Sequence, residues 1–313
     1  SSGARPRAIV EQVLAKADEI DQKLSLIAIN AYDLPQAFLP ETLRLAETRQ
    51  LPKVLGRVDL RDLPLVTIDD IDARDHDDAV YATPDPDDRD GWRVIVAIAD
   101  VSYFVTPGDM LDREALARGN SVYFPDQVLP MLPERLSNDL CSLKPLVDRP
   151  CIAVDLRVTP QGKLKSYHFF KGMMKSWGKL TYKDVQAYYD GQPNNIPKEI
   201  PPEVIPNLYG AFHTLLDARE ERGTLDLEIS ELKILIDETG HMTGVIPRTR
   251  LASHQVIEEM MILANVAAAK YIASHNMPLI YSVHDTPSPD KLDELRQFLE
   301  DTSFSLPKGN VDK

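Results

Sequence analysis

Apolar residues recur at helical spacing over residues 7–30, through Ile9, Val10, Val13, Leu14, Ala17, Ile20 and Leu24. That period predicts an amphipathic helix. Pro35, Pro40 and Pro52 punctuate residues 31–60, which predicts a short helix inside a connecting segment. The period then changes. Leu63, Leu65, Val66 and Ile68 make one apolar run, Ala79–Ala82 a second and Trp92–Ala99 a third. The turn-rich stretch Thr83–Gly91 joins the last two, which predicts a β-hairpin. Its aspartates, Asp85, Asp87, Asp88 and Asp90, read as a solvated turn.

Further on, residues 109–119 suggest a short helix, and prolines pin 122–125 and 128–133. Residues 151–171 alternate as two strands about Gln161-Gly162. Helical patterns cover 182–189, 203–222, 253–275 and 289–300, and Gly223 fits the end of the second of these. Strands are predicted at 225–236 and 242–246 about Thr239-Gly240, and residues 191–202 are a proline- and asparagine-rich loop. Strands and helices alternate irregularly and nothing repeats. The fold class is therefore α+β (mixed α/β), a mixed sheet with packed helices.

Composition narrows the functions. The 313 residues, 43% of them hydrophobic, suffice for one large or two ordinary domains. No apolar stretch approaches the roughly 18 to 20 residues that span a bilayer, and the N-terminus lacks the apolar core of a signal peptide. A cytoplasmic monomer without membrane contact is expected. The net charge of −14 argues against a general electrostatic grip on nucleic acid. A bound polyanion would need bridging cations or a basic module elsewhere. Cys141 and Cys151 both adjoin apolar residues, so two buried reduced thiols are expected. No Cys/His grouping has zinc spacing.

The chemistry concentrates between the first two apolar runs. Asp69, Asp70, Asp72, Asp75, Asp77 and Asp78 fall within ten residues. Carboxylates packed this closely raise one another's pKa unless a counter-charge is present. A hard divalent cation such as Mg²⁺ is suited to all-oxygen donors. The plain alternative is a solvated acidic loop. The flanking apolar runs favour a site held between buried strands. An EF-hand is excluded by the missing glycine and glutamate at its fixed positions. Asp100, just after the third run, is a candidate for the mouth of the same site.

The segment Arg57–Tyr81, with its Arg-Val-Asp-Leu-Arg-Asp-Leu-Pro lead-in and the Ala73-Arg74-Asp75-His76-Asp77-Asp78 core, closely resembles the opening of the ribonuclease II / ribonuclease R catalytic domain. Val94–Asp100, Ser121–Phe124, Pro130–Leu143 and Leu251–Asn265 resemble the same family, in order and at matching spacing. The lead-in is closer to the ribonuclease R branch. The resemblance covers about residues 57–307, which leaves 1–56 as lead-in helices and 57–313 as the opening portion of a ribonuclease II-type catalytic domain.

The resemblance implies processive hydrolysis of single-stranded RNA from the 3′ end, releasing nucleoside 5′-monophosphates with Mg²⁺. Asp69, Asp75, Asp77 and Asp78 match the family's metal-site carboxylates. Two ions about 3.5 to 4 Å apart would serve the attacking water and the leaving oxygen. Tyr123 matches an aromatic that packs at the 3′-terminal nucleotide; a core tyrosine is the alternative. Tyr182 and Glu258 match residues that read the ribose, and the 2′-OH is what separates RNA from DNA. An exposed helix charge is the alternative for Glu258, which shares a helix face with His254.

Departures from the pattern qualify this. Asp70-Ile71 stands where Gly-Glu is common, and His76 stands where an apolar residue is usual. A histidine between carboxylates is expected to make cation binding pH-sensitive. Leu227 falls where a second clamping aromatic is often found. The family's later Thr-Ser-Pro-Ile-Arg motif and its small β-barrel RNA-binding domains have no match here, so weak or absent turnover by the chain alone is expected. The rival readings are a non-catalytic fragment or scaffold that keeps RNA or metal binding, and an unrelated metal-dependent phosphoesterase.

Overall fold

A computed structural model describes residues 24–224, 231–237, 241–283, 285–300, 302 and 304–307. The helical reading of 7–23, the start of the 225–236 strand with Leu227, and the Thr239-Gly240 turn lie outside the described residues.

In chain order the elements are α1 (Leu24–Ala31), α2 (Pro40–Thr48), β1 (Val58–Asp59), β2 (Thr67–Asp69), β3 (Asp78–Pro84) and β4 (Trp92–Ala99). There follow α3 (Val101–Phe104), α4 (Met110–Arg118), β5 (Val122–Tyr123), β6 (Val128–Leu129) and a π-helical turn, Leu136–Leu140. The remainder is β7 (Asp148–Val158), β8 (Leu164–Lys175), β9 (Lys179–Thr181), α5 (Tyr182–Tyr189), α6 (Val204–Glu221), β10 (Leu232–Ile236), β11 (Met242–Pro247), α7 (Ala252–Ser274) and α8 (Pro289–Leu299).

The main sheet runs β1-β8-β7-β4-β3, antiparallel except where β1 joins β8 in parallel. The predicted hairpin is β3–β4, with Asp78 opposite Ile98 and Pro84 opposite Trp92. Both faces of this sheet are buried, which is why β4 reads as a continuous apolar run. Val80, Val94, Val96, Val154 and Leu156 face one core, with α6 and the start of α7. Ala79, Ile95, Ala97, Cys151 and Ala153 face the other, with Phe104, Leu111 and Leu136. Successive residues alternate between these cores because side chains on a strand alternate faces.

Helix α6 buries Val204, Ile205, Leu208, Tyr209, Phe212 and Leu215, the stripe expected of a helix against a sheet. Gly210 lets Trp92 close on it: a Cβ there would lie 2.4 Å from the indole ring. The indole Nε1–H then donates to Thr214 Oγ1 at 3.0 Å. Thr181 caps α5 by accepting from the Asp184 N–H. Gly223 takes a positive φ just past α6, as its position predicts.

The chain divides into two compact units, residues 1–267 and 268–313. The second holds the end of α7 and α8, which Ser288 caps and Pro289 opens. Among the described residues no helix is long and apolar enough to cross a membrane.

Two aspartates differ from expectation. Asp100 is fully buried and bound to Arg57 at 2.6 Å, with Ser102 Oγ donating to it at 2.8 Å. Arg57 also lies over the Tyr103 ring. Asp100 therefore ties β1 to the end of β4 and is not a rim residue of a metal site. Asp85 is likewise buried, accepting from the Asp87 N–H at 3.0 Å and from Arg157 at 2.5 Å. It fastens the turn to β7, whereas Asp87 and Asp90 remain exposed.

Candidate active site

The acidic segment is an irregular loop closed at its base by strand pairing. Val66 and Val80 exchange backbone hydrogen bonds at 3.2 and 2.9 Å, so β2 enters and β3 leaves the loop side by side. This brings Asp69 and Asp78 to one place, with Asp77 beside them. The Asp77 carbonyl accepts from the Ala99 N–H at 2.8 Å, which anchors the loop's exit to β4.

Second-layer contacts hold the loop's middle. Lys179 Nζ donates to the Ala73 carbonyl at 2.8 Å. Ser142 Oγ meets the Arg74 carbonyl and the His76 N–H. His76 Nδ1 lies 2.6 Å from Asp69 Oδ2, and Tyr123 OH donates to Asp75 at 3.0 Å. Asp70 pairs with Arg248 at 2.8 Å.

Electrostatics mark Asp77 and Asp78. Burial, reinforced by the charges of Asp77 and Asp69, pushes the Asp78 carboxyl up to about 7. Burial, then Asp75 and Asp69, raises Asp77. Asp78 Oδ2 is buried without a hydrogen-bond partner. A buried acceptor with no donor is costly, and a cation satisfies it without adding a proton. The donors are all hard oxygens, as Mg²⁺ requires, so the residues fit such an ion. They do not form a finished cage. Among the described residues no three His, Cys, Asp or Glu side chains are gathered for a metal. Two of the four carboxylates are turned to protein partners, Asp69 to His76 and Asp75 to Tyr123.

Tyr182 is delivered by a pairing that the sequence does not reveal. Strand β9 lies parallel to β2, with Thr181 opposite Asp69. The next residue, Tyr182, therefore opens α5 beside the carboxylates. Burial and the charges of Asp69, Asp78 and Asp70 raise its phenol above the ordinary range. Ser253 Oγ donates to the Tyr182 carbonyl at 2.8 Å, docking the start of α7 on the start of α5. His254 consequently stacks on the Tyr182 ring, centroids 4.1 Å apart. Its Nδ1 accepts from the Leu251 N–H, which places the proton on Nε2. Burial and Arg248 lower the His254 pKa, partly opposed by Asp70 and Glu258.

Tyr123 is 64% exposed, which excludes the core reading. Its ring is open to a ligand while its hydroxyl end is tied to Asp75. Glu258 is partly exposed and pairs with Arg250. Sequence reasoning assigned no role to Ser142, Lys179, His254 or Arg248. The first and third lay inside segments that carried the family resemblance; nothing local distinguishes the other two.

The sequence matches the RNB domain family over residues 57–311. It is 40% identical to Ribonuclease R of Escherichia coli (strain K12) across 98% of this chain and 38% of that protein. It is 42% identical to Ribonuclease R of Vibrio parahaemolyticus across 89% of this chain and 33% of that protein. The chain thus spans between a third and two fifths of the length of these curated relatives. The fold superposes on Mycoplasma genitalium RNase R in complex with ribose methylated single-stranded RNA, with a TM-score of 0.89 and 27% identity over 97% of this chain and 47% of that one. These matches bear out the resemblance read from the motifs and the mixed α/β class. The chain belongs to the RNB domain family, and both curated relatives described above are ribonucleases R.

Proposed function

We propose that this chain carries the metal and 3′-end sites of a Mg²⁺-dependent, processive 3′→5′ exoribonuclease of the cytoplasm. In this reading residues 1–56 lead into a catalytic domain that opens at residue 57. The observation that carries the proposal is the orphaned, buried Oδ2 of Asp78 at the head of β3, with Asp69 and Asp77 raising the local negative charge.

Asp69, Asp75, Asp77 and Asp78 would hold Mg²⁺. When bound, two such ions supply the positive charge that activates water and stabilises the leaving 3′-oxygen. The chain's own residues do the rest. Tyr123 offers an exposed ring for the terminal base, and stacking of this kind tolerates any sequence. Tyr182, which follows Thr181 opposite Asp69 and stacks on His254, and Glu258, on the same helix as His254, would read the ribose 2′-OH. The net charge of −14 makes cations necessary for holding a phosphate backbone here. The substrate is single-stranded RNA, bound by a monomer without a membrane.

A second reading is a module that binds RNA or metal without turnover. It draws on the carboxylates that are engaged by His76 and Tyr123 rather than gathered together. Product analysis on 5′-labelled RNA, with Mg²⁺ and with EDTA, separates the two. Mg²⁺-dependent stepwise shortening with release of 5′-monophosphates supports the first. Binding without shortening supports the second, and cleavage of small phosphate esters without preference for RNA overturns both.

A further inference from the structure

Ser142 is fully buried and lies two residues past the π-helical turn Leu136–Leu140. Its hydroxyl donates to the Arg74 carbonyl at 3.0 Å and accepts from the His76 N–H at 3.2 Å. One oxygen atom thus bridges the peptide groups on either side of Asp75. The Leu143 N–H adds a third bond, to the His76 carbonyl at 2.7 Å. Irregular backbone with like charges along it has no ladder of its own to fix it. Here the fixing comes from a segment some seventy residues away, about the span from Arg74 to Ser142.

The clamp is itself anchored. Arg149, on β7, is buried and donates through Nε to the Ser142 carbonyl at 2.9 Å and to the Asp139 carbonyl at 3.2 Å. Its Nη2 reaches Asp139 Oδ1 at 3.2 Å, and Lys144 and Arg135 complete the pairing of that carboxylate. A rigid block from the π-helical turn to the central sheet therefore ends in the Ser142 hydroxyl. What that hydroxyl fixes is the direction of two residues. Asp75 points to Tyr123, and His76 points its imidazole to Asp69.

We propose that Ser142 is a positioning residue that fixes the backbone of the 74–77 loop, so that little main-chain freedom remains to be lost when a divalent cation gathers the carboxylates of Asp69, Asp75 and Asp77. The proposal rests on the metal reading given above. Ser142 touches neither ion nor substrate; it acts by removing backbone freedom that cation binding would otherwise have to remove. Outer-layer partners of ligands typically contribute about 10- to 100-fold to metal affinity.

The test is calorimetric titration of the full chain with Mg²⁺, and independently with Mn²⁺ followed by its paramagnetic resonance. Wild type, Ser142→Ala and Thr214→Ala are compared. Thr214→Ala removes a hydroxyl partner of Trp92 at the far end of β4 and reports general loosening. Ser142→Ala is expected to weaken both ions at least 10-fold, with Thr214→Ala unchanged. If Ser142→Ala melts below the assay temperature, Ser142→Cys, of similar shape and weaker hydrogen bonding, carries the comparison. Wild-type affinity in a folded Ser142 variant overturns the assignment, as does an equal loss in Thr214→Ala. A wild-type chain that binds neither ion overturns the metal reading itself, and the assignment with it.

Discussion

The imidazole Nδ1 of His76 lies 2.6 Å from Asp69 Oδ2, and the ring is almost wholly buried. The carboxylate can only accept, so Nδ1 carries the proton and Asp69 is held by one oxygen. An apolar residue at position 76 would leave Asp69 unheld. His76→Ala is therefore expected to lower Mg²⁺ affinity about 10- to 100-fold, with His76→Gln, which keeps a donor, losing less. Titration calorimetry measures this, and equal affinity in His76→Ala would show that Asp69 needs no such support.

Asp78 makes stability depend on pH. Its carboxyl titrates near 3.8 when unfolded and at about 7 in the folded chain. Between those values the folded state holds the proton more tightly, so stability falls as pH rises through that window. The slope is at most about 1.4 kcal/mol per pH unit. Thermal melts in EDTA should show the decline from pH 4 to 7, and Asp78→Asn should make it shallower, leaving the share of the raised Asp77, and melt higher at pH 8. Mg²⁺ at 100 times its Kd should return about 2.7 kcal/mol to the wild type and little to the variant. Parallel pH profiles for the two proteins would mean that Asp78 is not buried in its charged surroundings.

Arg57 and Asp100 form the most buried ion pair described, with side chains 6% and 0% exposed. Removing one partner strands the other's charge, at a cost of about 3 to 5 kcal/mol. Arg57→Ala should lower the urea midpoint sharply, and adding Asp100→Leu should recover part of the loss. Additive losses in the double variant would show that the two charges do not interact.

Both cysteines should be inert. Burial pushes Cys141 and Cys151 up to about 12, and the thiolate is the reactive form. Ellman's reagent at pH 8 should label neither in the native chain and both in guanidinium. Rapid native labelling of either thiol would contradict its burial.

Discrimination between RNA and DNA should narrow in Tyr182→Phe and Glu258→Ala. Hydrogen bonds to a charged acceptor contribute about 1.5 to 3 kcal/mol, so the larger change belongs to Glu258. Competition binding of ribo- and deoxy-oligonucleotides with one sequence reads it. Equal weakening on both strands would assign these residues a structural role, such as the Tyr182–His254 stack or the Glu258–Arg250 pair.

Local patterning by itself determined most elements. The β3–β4 hairpin, α4, α5, α6, α7 and α8 fall where apolar period, proline and glycine place them, because those signals act within a few residues. The acidic loop was legible for the same reason: its aspartates are neighbours in sequence. The parallel pairs β1–β8 and β2–β9 were not legible. Strands β1, β2 and β9 are only two or three residues long, and register between distant segments is set by the cores around them rather than by local preference. Tyr182 reaches Asp69 only through the second of these pairs. Sequence reads a charged residue as exposed, so Asp100 and Asp85 were misplaced; each is buried because an arginine distant in the chain, Arg57 or Arg157, meets it there. The carboxylates of the site are written in the sequence, as is His76 beside them, but how the loop that carries them is held depends on Ser142 and Lys179 reaching its backbone from segments distant in the chain, which only the tertiary fold brings there.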